Sequence, residues 1–354
     1  MNTREQNIIL KNWEQFYNSR GVEPELIKVY MSYVEKLVNQ SLPPIFDFRH
    51  LSLLLNINEY DLASIVNSPS NYYRTFDIPK RNGGFRTITA PYPSLKNIQK
   101  WIYHNILSNI KIHGCAHGFA TSRSILTNAN VHINQKCLLK IDLKDFFPSI
   151  PMSYVLQLFK SLGYAPKVAF YLSSLCCYDE CLAQGSPVSP AISNIVAKHL
   201  DRRLYRIAKK YKLNYSRYAD DIAFSGESIN VKFIEYIKEI ITDCGFFVNE
   251  NKIRLYKEYG NKILTGISLA TGVPRLPRDY RRSLEKELFF INKYGIKGHI
   301  SHNKIRKSNY LESIIGRVRY WLMIEPNNTF AQQMYEKLYA EYKLQLNTSD
   351  IEVL

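Results

Sequence analysis

Long apolar runs are missing from this sequence. No stretch approaches the roughly 20 consecutive apolar residues that span a bilayer. The opening MNTREQNIILKNWEQFYNSR is polar and charged, without the apolar segment of a signal peptide. A cytoplasmic location is the expectation. Cysteine is sparse and unpatterned: Cys115, Cys137, Cys176, Cys177, Cys181 and Cys244. That excludes a disulfide framework and fits a reducing compartment. The string CCYDEC has no C-x-x-C partner on either side, and adjacent thiols chelate poorly, so buried thiols are expected there and not zinc. Acidic residues are in short supply, 31 against 47 Lys and Arg, for a formal charge of +16. Such an excess does not specify a fold, but it favours a polyanionic partner. Low-complexity segments, internal repeats and long linkers are absent too.

Aromatic residues, by contrast, are plentiful: 26 Tyr and 17 Phe. Interleaved with Lys and Arg, they suit stacked bases along a phosphate backbone. At 45% hydrophobic and 22% charged the chain is globular, and 354 residues suggest two or three lobes.

Residues 1 to about 75 read as helical, with a helix pair meeting near Asn56–Asn58. FDIPKRNGGFRTITAPY alternates around Gly83-Gly84 and predicts a β-hairpin. SLKNIQKWIYHNILSNI has helical period, with Ser94 as the N-cap. KCLLKIDLKDFFPSI is a strand running into Asp142 and then a turn. QGSPVSPAISNIVAKHLDRRLYRIAKKY opens as a Gly/Pro loop and becomes a long basic helix. NYSRYADDIAFSG is strand, tight turn, strand. KILTGISLATGVPRLP predicts another hairpin, with Gly272 near its turn. From Arg278, three helices with basic faces suggest a separate helical lobe. Hairpins beside a helix-crossed strand imply an α+β fold, an antiparallel sheet with helices on one face.

Asp142 lies toward the end of one strand, and Asp220 and Asp221 at a hairpin tip. Alone, an acidic turn is ordinary, and Asp142 could cap the helix after it. On neighbouring strands, however, three carboxylates would converge and repel unless cations screened them. Hard oxygen ligands suit Mg²⁺. Two such ions about 4 Å apart activate an attacking hydroxyl and stabilise a leaving oxygen at phosphorus.

Five strings in one order resemble the motifs of a reverse transcriptase of the bacterial retron type. They are RNGGFRTITAP, KIDLKDFFPSI, QGSPVSPAISNIVAKHLD, YADD and GFFVNENKIRLY. Two shorter strings point within the family. NANVH (Asn128 to His132) resembles the Asn-Ala-x-x-His motif of retron enzymes, and LTG (Leu264 to Gly266) stands where they usually carry Val-Thr-Gly.

The resemblance implies an RNA-directed DNA polymerase with a right-hand fold. Residues 1–70 would be an N-terminal helical extension, 71–274 fingers and palm, and 275–354 an α-helical thumb. Asp142, Asp220 and Asp221, with the Leu143 carbonyl, would hold two Mg²⁺ ions. Lys252 would neutralise or protonate departing pyrophosphate. Arg86 would grip the triphosphate, with Lys80 and Arg81 as weaker candidates. Phe147 would sit beneath the sugar and exclude a 2′-OH. Gln184, Gly185 and Pro187 would form the loop against the nucleotide and template base, the glycine allowing close approach. Asn128, His132, Thr265 and Gly266 would bind RNA, as would Arg278, Arg281, Arg282, Lys286, Arg317 and Arg319 of the basic helices. For Asn128 and His132 a purely local role is the alternative.

Retron enzymes use dNTPs to copy part of a cognate structured RNA (msr-msd) into branched RNA-linked DNA (msDNA). They start from a guanosine 2′-OH and act in bacterial anti-phage defence with an effector protein from the same operon. An intron-encoded, diversity-generating or other defence-associated reverse transcriptase is the alternative within the fold. An intron enzyme usually carries maturase and nuclease segments, for which the residues after the thumb leave no room. A polymerase-fold RNA-binding scaffold is the alternative outside catalysis, and the intact aspartate triad argues against it.

Overall fold

In the computed structural model, which describes residues 3–80, 83–258 and 261–349, four helices lead the chain. They are α1 (Thr3–Ser19), α2 (Pro24–Val38), α3 (Phe48–Leu55) and α4 (Glu59–Asn67). The α3–α4 junction follows from its polar residues. Asn56 ends α3 in the left-handed conformation, and the Asn58 side chain caps α4 by accepting from the Asp61 N–H. Next come β1 (Tyr73–Pro79) and β2 (Phe85–Pro91), an antiparallel hairpin with Ile78 opposite Arg86. Then α5 (Pro93–Asn105) begins at a Tyr92 cap, not at the expected Ser94. Pro93 takes the first helical position, where its fixed φ and missing N–H cost nothing.

The centre contains α6 (Ile125–Asn130), β3 (Cys137–Lys144), α7 (Met152–Leu162), α8 (Pro166–Cys176), α9 (Ser189–Val196) and α10 (Lys198–Lys210). It continues with β4 (Asn214–Tyr218), β5 (Asp221–Gly226), α11 (Val231–Asp243), β6 (Phe247–Val248) and β7 (Arg254–Tyr256). The strands form one antiparallel sheet in the order β4-β5-β3-β6, with β7 also on β3. Alternation decides its faces. Leu139, Ile141 and Leu143 of β3 join Ile222 and Phe224 of β5 in the main core, which includes residues of α5 and α7 to α11. Lys140 and Asp142 stand at the intervening positions of β3.

The other face is not bare, contrary to the expectation of helices on one side only. Leu138 and Ala223 pack in a second core with Ala129 of α6 and with the C-terminal elements. These are β8 (Ile263–Leu264), β9 (Ile267–Ser268), α12 (Arg278–His302), α13 (Tyr310–Ile324) and α14 (Thr329–Ser349). The C-terminal helices therefore have a core of their own that takes in this face of the sheet. The β8–β9 turn is Thr265–Gly266, both at positive φ, and Gly272 lies in the following loop. Gly295, at φ 72, breaks α12. No helix among the described residues is long and apolar enough to cross a membrane.

Candidate active site

Asp142 and Asp221 sit directly opposite each other on β3 and β5, so their side chains share a face. The tip of the β4–β5 hairpin is only Ala219 and Asp220, between the paired Tyr218 and Asp221. The tip is fixed from both sides. The Leu143 N–H donates to the Asp220 carbonyl at 2.9 Å, and Ala219 adopts φ 56. Two adjacent carboxylates are thus carried to the end of the strand that holds the third.

Their electrostatics follow from this crowding. Burial, then the Asp220 charge, pushes the Asp221 carboxyl up to about 6. Asp220 is also raised, by burial first and by Asp142 among its neighbours, while Lys252 and Arg86 oppose the shift. Lys252 donates to both Asp142 oxygens, at 2.9 and 3.0 Å. Glu250, two residues before Lys252, pairs with Lys238. The donor set is chemically suited to a divalent cation: hard oxygens, largely buried, with the ionisation of Asp220 and Asp221 opposed by neighbouring carboxylates. As they stand, no three Asp, Glu, His or Cys side chains among the described residues are grouped closely enough to hold a metal ion. The Lys252 ammonium is what neutralises Asp142 here.

Beneath the turn lies a buried device that sequence reading missed. Arg217 and Asp201 are both 0% exposed and form a two-point ion pair, with Arg217 Nε and Nη2 at 2.8 and 2.7 Å from the carboxylate oxygens. Arg217 Nη1 also donates to the Ala219 carbonyl at 3.0 Å and to Asn194 Oδ1 at 3.1 Å. Asn194 in turn donates to the Gly118 carbonyl. Gly118 lies so close that a Cβ there would stand 2.5 Å from the Ala219 nitrogen. The β4–β5 hairpin therefore rests on α9, α10 and the segment before α6. A signal was available in the sequence. Arg217 has the same strand parity as core-facing Tyr215, so its charge needed a buried partner.

Asn128 and His132, expected on RNA, are 1% and 2% exposed. His132 bridges Ser225 and Ser216 at 2.7 Å each, and Ser216 donates to Asn128 Oδ1 at 2.6 Å. The Ser216 hydrogen is thereby used, so His132 Nε2 carries the proton and Nδ1 accepts from Ser225. Burial pushes this imidazole down to about 3, keeping it neutral. These side chains brace the hairpin from the face opposite Arg217 and are sealed from RNA. Thr265 and Gly266 belong to the same junction, because Ala129, Leu264 and Ile267 pack together. The Thr265 hydroxyl is buried without a hydrogen-bond partner, and only Gly266 is exposed.

Of two adjacent rings, Phe146 is buried and Phe147 half-exposed, 6.2 Å from the Phe119 ring. Arg86 is exposed on β2, near enough to Asp220 to affect its ionisation. Lys80 closes the β1–β2 turn through its N–H to Gly84, and Arg81 lies outside the described residues. Gln184 and Gly185 press on β2. The Thr89 N–H donates to the Gln184 carbonyl, and a Cβ on Gly185 would stand 2.7 Å from the Thr89 carbonyl oxygen. The close approach that requires glycine is therefore to protein backbone. Pro187 is half-buried beside this loop.

The basic helices divide into two sets. Arg317 is engaged by Glu287 and lies over the Tyr280 ring, and Arg281 pairs with Glu285. Arg317 thus ties α13 to α12, and Arg281 pairs along α12 itself, so neither is the free RNA contact expected of it. Arg278, Arg282, Lys286 and Arg319 are exposed. Arg319→Glu should weaken RNA binding several-fold and flatten its salt dependence. Arg317→Glu should instead lower the melting temperature, since it sets two carboxylates against each other. Titrations at several salt concentrations and thermal melts separate the two outcomes.

Comparison with known proteins adds to this geometry. The family described as "Reverse transcriptase (RNA-dependent DNA polymerase)" matches residues 78–271. The retron Ec86 reverse transcriptase of Escherichia coli is 30% identical over 294 residues, covering 82% of this chain and 88% of that protein. The retron Ec83 enzyme of the same species is 32% identical, covering 77% and 88% respectively. The retron Mx162 reverse transcriptase of Myxococcus xanthus is 32% identical over 304 residues and 75% of this chain. This chain spans 61% of the Mx162 enzyme's length.

Proposed function

Because this chain belongs to the reverse transcriptases, and among them to the retron type, we propose that it is an RNA-directed DNA polymerase working at Asp142, Asp220 and Asp221. The observation that carries this reading is the register that sets Asp142 opposite Asp221, with Asp220 tied to the backbone beside them. In this reading β1–β2 is the fingers hairpin, the five-stranded sheet the palm, and α12 to α14 the thumb.

The three aspartates, with the Leu143 carbonyl, would hold two Mg²⁺ ions. Bound there, the metal would supply charge neutralisation and a more acidic primer hydroxyl. The chain's own residues do the rest. Arg86 offers a planar fork to the triphosphate. Lys252 stands at the triad, where its ammonium can neutralise or protonate departing pyrophosphate. The buried Arg217 and His132 networks hold the turn, so that catalysis rests on positioning. Phe147 lies beneath the sugar and selects dNTPs. Phe147→Ala should raise ribonucleotide incorporation relative to dNTPs by at least about tenfold, or ~1.4 kcal/mol in discrimination. Primer extension with matched rNTP and dNTP series measures it. Unchanged sugar selectivity would make Phe147 a packing residue.

The relatives are named for retrons, and the template proposed here is a cognate structured RNA. The enzyme would copy part of it into branched RNA-linked DNA from a guanosine 2′-OH. The setting would be bacterial cytoplasm and anti-phage defence, with an effector protein as partner. Sequencing the nucleic acid that co-purifies with the chain tests this. DNA joined to RNA through a 2′ linkage is the expected product, and its absence from a polymerising enzyme would point to another class of reverse transcriptase.

A further inference from the structure

We propose that the cavity at the break in α12 is a binding site for an unpaired RNA nucleotide. The proposal deepens the RNA-binding role of the C-terminal helices and rests on that reading. Gly295 breaks α12, and residues before and after the break line one cavity. This cavity, of about 860 Å³, has Lys286, Phe290 and Tyr294 on one wall and His299, His302 and Asn303 on the other. That volume exceeds what one nucleotide needs.

The lining offers what a base and its phosphate require, and the Glu287 carboxylate that also lines it is engaged by Arg317 and Tyr310. Phe290 and Tyr294 stack nearly parallel, 11° apart, yet remain 37% and 58% exposed. Large rings left in water on a charged helix are the usual platform for unpaired bases, since every base has a π face. Lys293 lies 5.1 Å from the Tyr294 ring centre, placing a cation beside the stacking surface. The imidazole of His302 and the side-chain oxygen of Asn303, whose nitrogen donates to the His299 carbonyl, can hydrogen-bond a base edge, and the Lys286 ammonium can meet a phosphate. Charge selects the partner. Between Arg278 and Tyr310 the sequence carries nine Lys or Arg and three Asp or Glu. A polyanion fits that surface, and stacked rings among cations favour single strands or loops over duplex, whose bases are already stacked.

The test uses the full chain and two labelled probes, an oligo(rA) of about a dozen nucleotides and an RNA duplex of equal length. Phe290→Ala and Tyr294→Ala should each weaken oligo(rA) binding by about tenfold and leave duplex affinity within about twofold. Their salt slopes should match the wild type, whereas Lys286→Ala should reduce the slope by about one. Tyr294→Trp should keep its affinity, with indole emission quenched as oligo(rA) is added. Unchanged oligo(rA) affinity in the alanine variants would overturn the proposal and leave the face to a protein partner. Equal losses on both probes, or an unquenched indole, would overturn it as well. Binding is read without DNA synthesis, so the two readings fail separately. A chain that polymerises while its variants bind normally refutes only the nucleotide site. One that never polymerises yet passes this test refutes only the polymerase.

Discussion

Asp220→Asn combined with Asp221→Asn should reduce Mg²⁺-dependent DNA synthesis by about 10³-fold or more, on the order of 4 kcal/mol in the barrier. The same variant should melt at an unchanged or slightly higher temperature. The sign follows from the carboxyls' environment. Burial raises both, with the Asp142 charge adding to it at Asp220 and the Asp220 charge at Asp221, which is pushed up to about 6. A raised carboxyl stabilises the fold only while protonated. That contribution is present below the unfolded value of about 4 and lost as pH rises through about 6. At neutral pH the ionised pair is therefore a burden on the fold, and Asn removes it. Loss of synthesis with loss of folding would mean that the aspartates are structural. Retained synthesis would mean that the chemistry lies elsewhere.

The second large effect concerns a residue outside the chemistry. Arg217→Met leaves Asp201 charged, fully buried and unpaired, which should cost about 3–5 kcal/mol of stability. Thermal or denaturant unfolding reads this directly. Pairing it with Asp201→Leu removes the stranded charge and should restore most of the loss, because a buried ion pair is often replaceable by apolar groups. Activity should not return with stability. The Ala219 carbonyl still lacks its donor, and a turn displaced by about 1 Å can cost on the order of 10² in rate. A stable double variant with normal kcat would show that Arg217 only fills space and charge, with no part in aiming the turn.

These two predictions divide what could and could not be read from the sequence. The carboxylates were legible because motif order and strand alternation both place them at strand ends on neighbouring strands. The β1–β2 hairpin was legible from Gly83-Gly84, and the α3–α4 junction from Asn56 and Asn58. What supports the turn was not, because its parts are dispersed: Arg217, Asp201, Asn194 and Gly118 meet only in the folded chain. Asn128 and His132 stood out as a motif, but nothing local shows that two serines on the hairpin complete their hydrogen bonds. The basic helices mislead in a similar way. Arg317 and Arg319 look equivalent in a string, yet one faces Glu287 and the other solvent. Partner identity decides whether a cation grips RNA or holds the protein together, and partners are tertiary facts.

Template-directed synthesis on RNA is the claim on which the rest depends, and single-nucleotide extension tests it most directly. A DNA primer annealed to an RNA template is offered one dNTP at a time in Mg²⁺. The wild-type chain should extend it only with the nucleotide complementary to the next template base, and changing that base should change which dNTP is used. Extension that ignores the template, or none at all from a folded chain, would contradict the assignment.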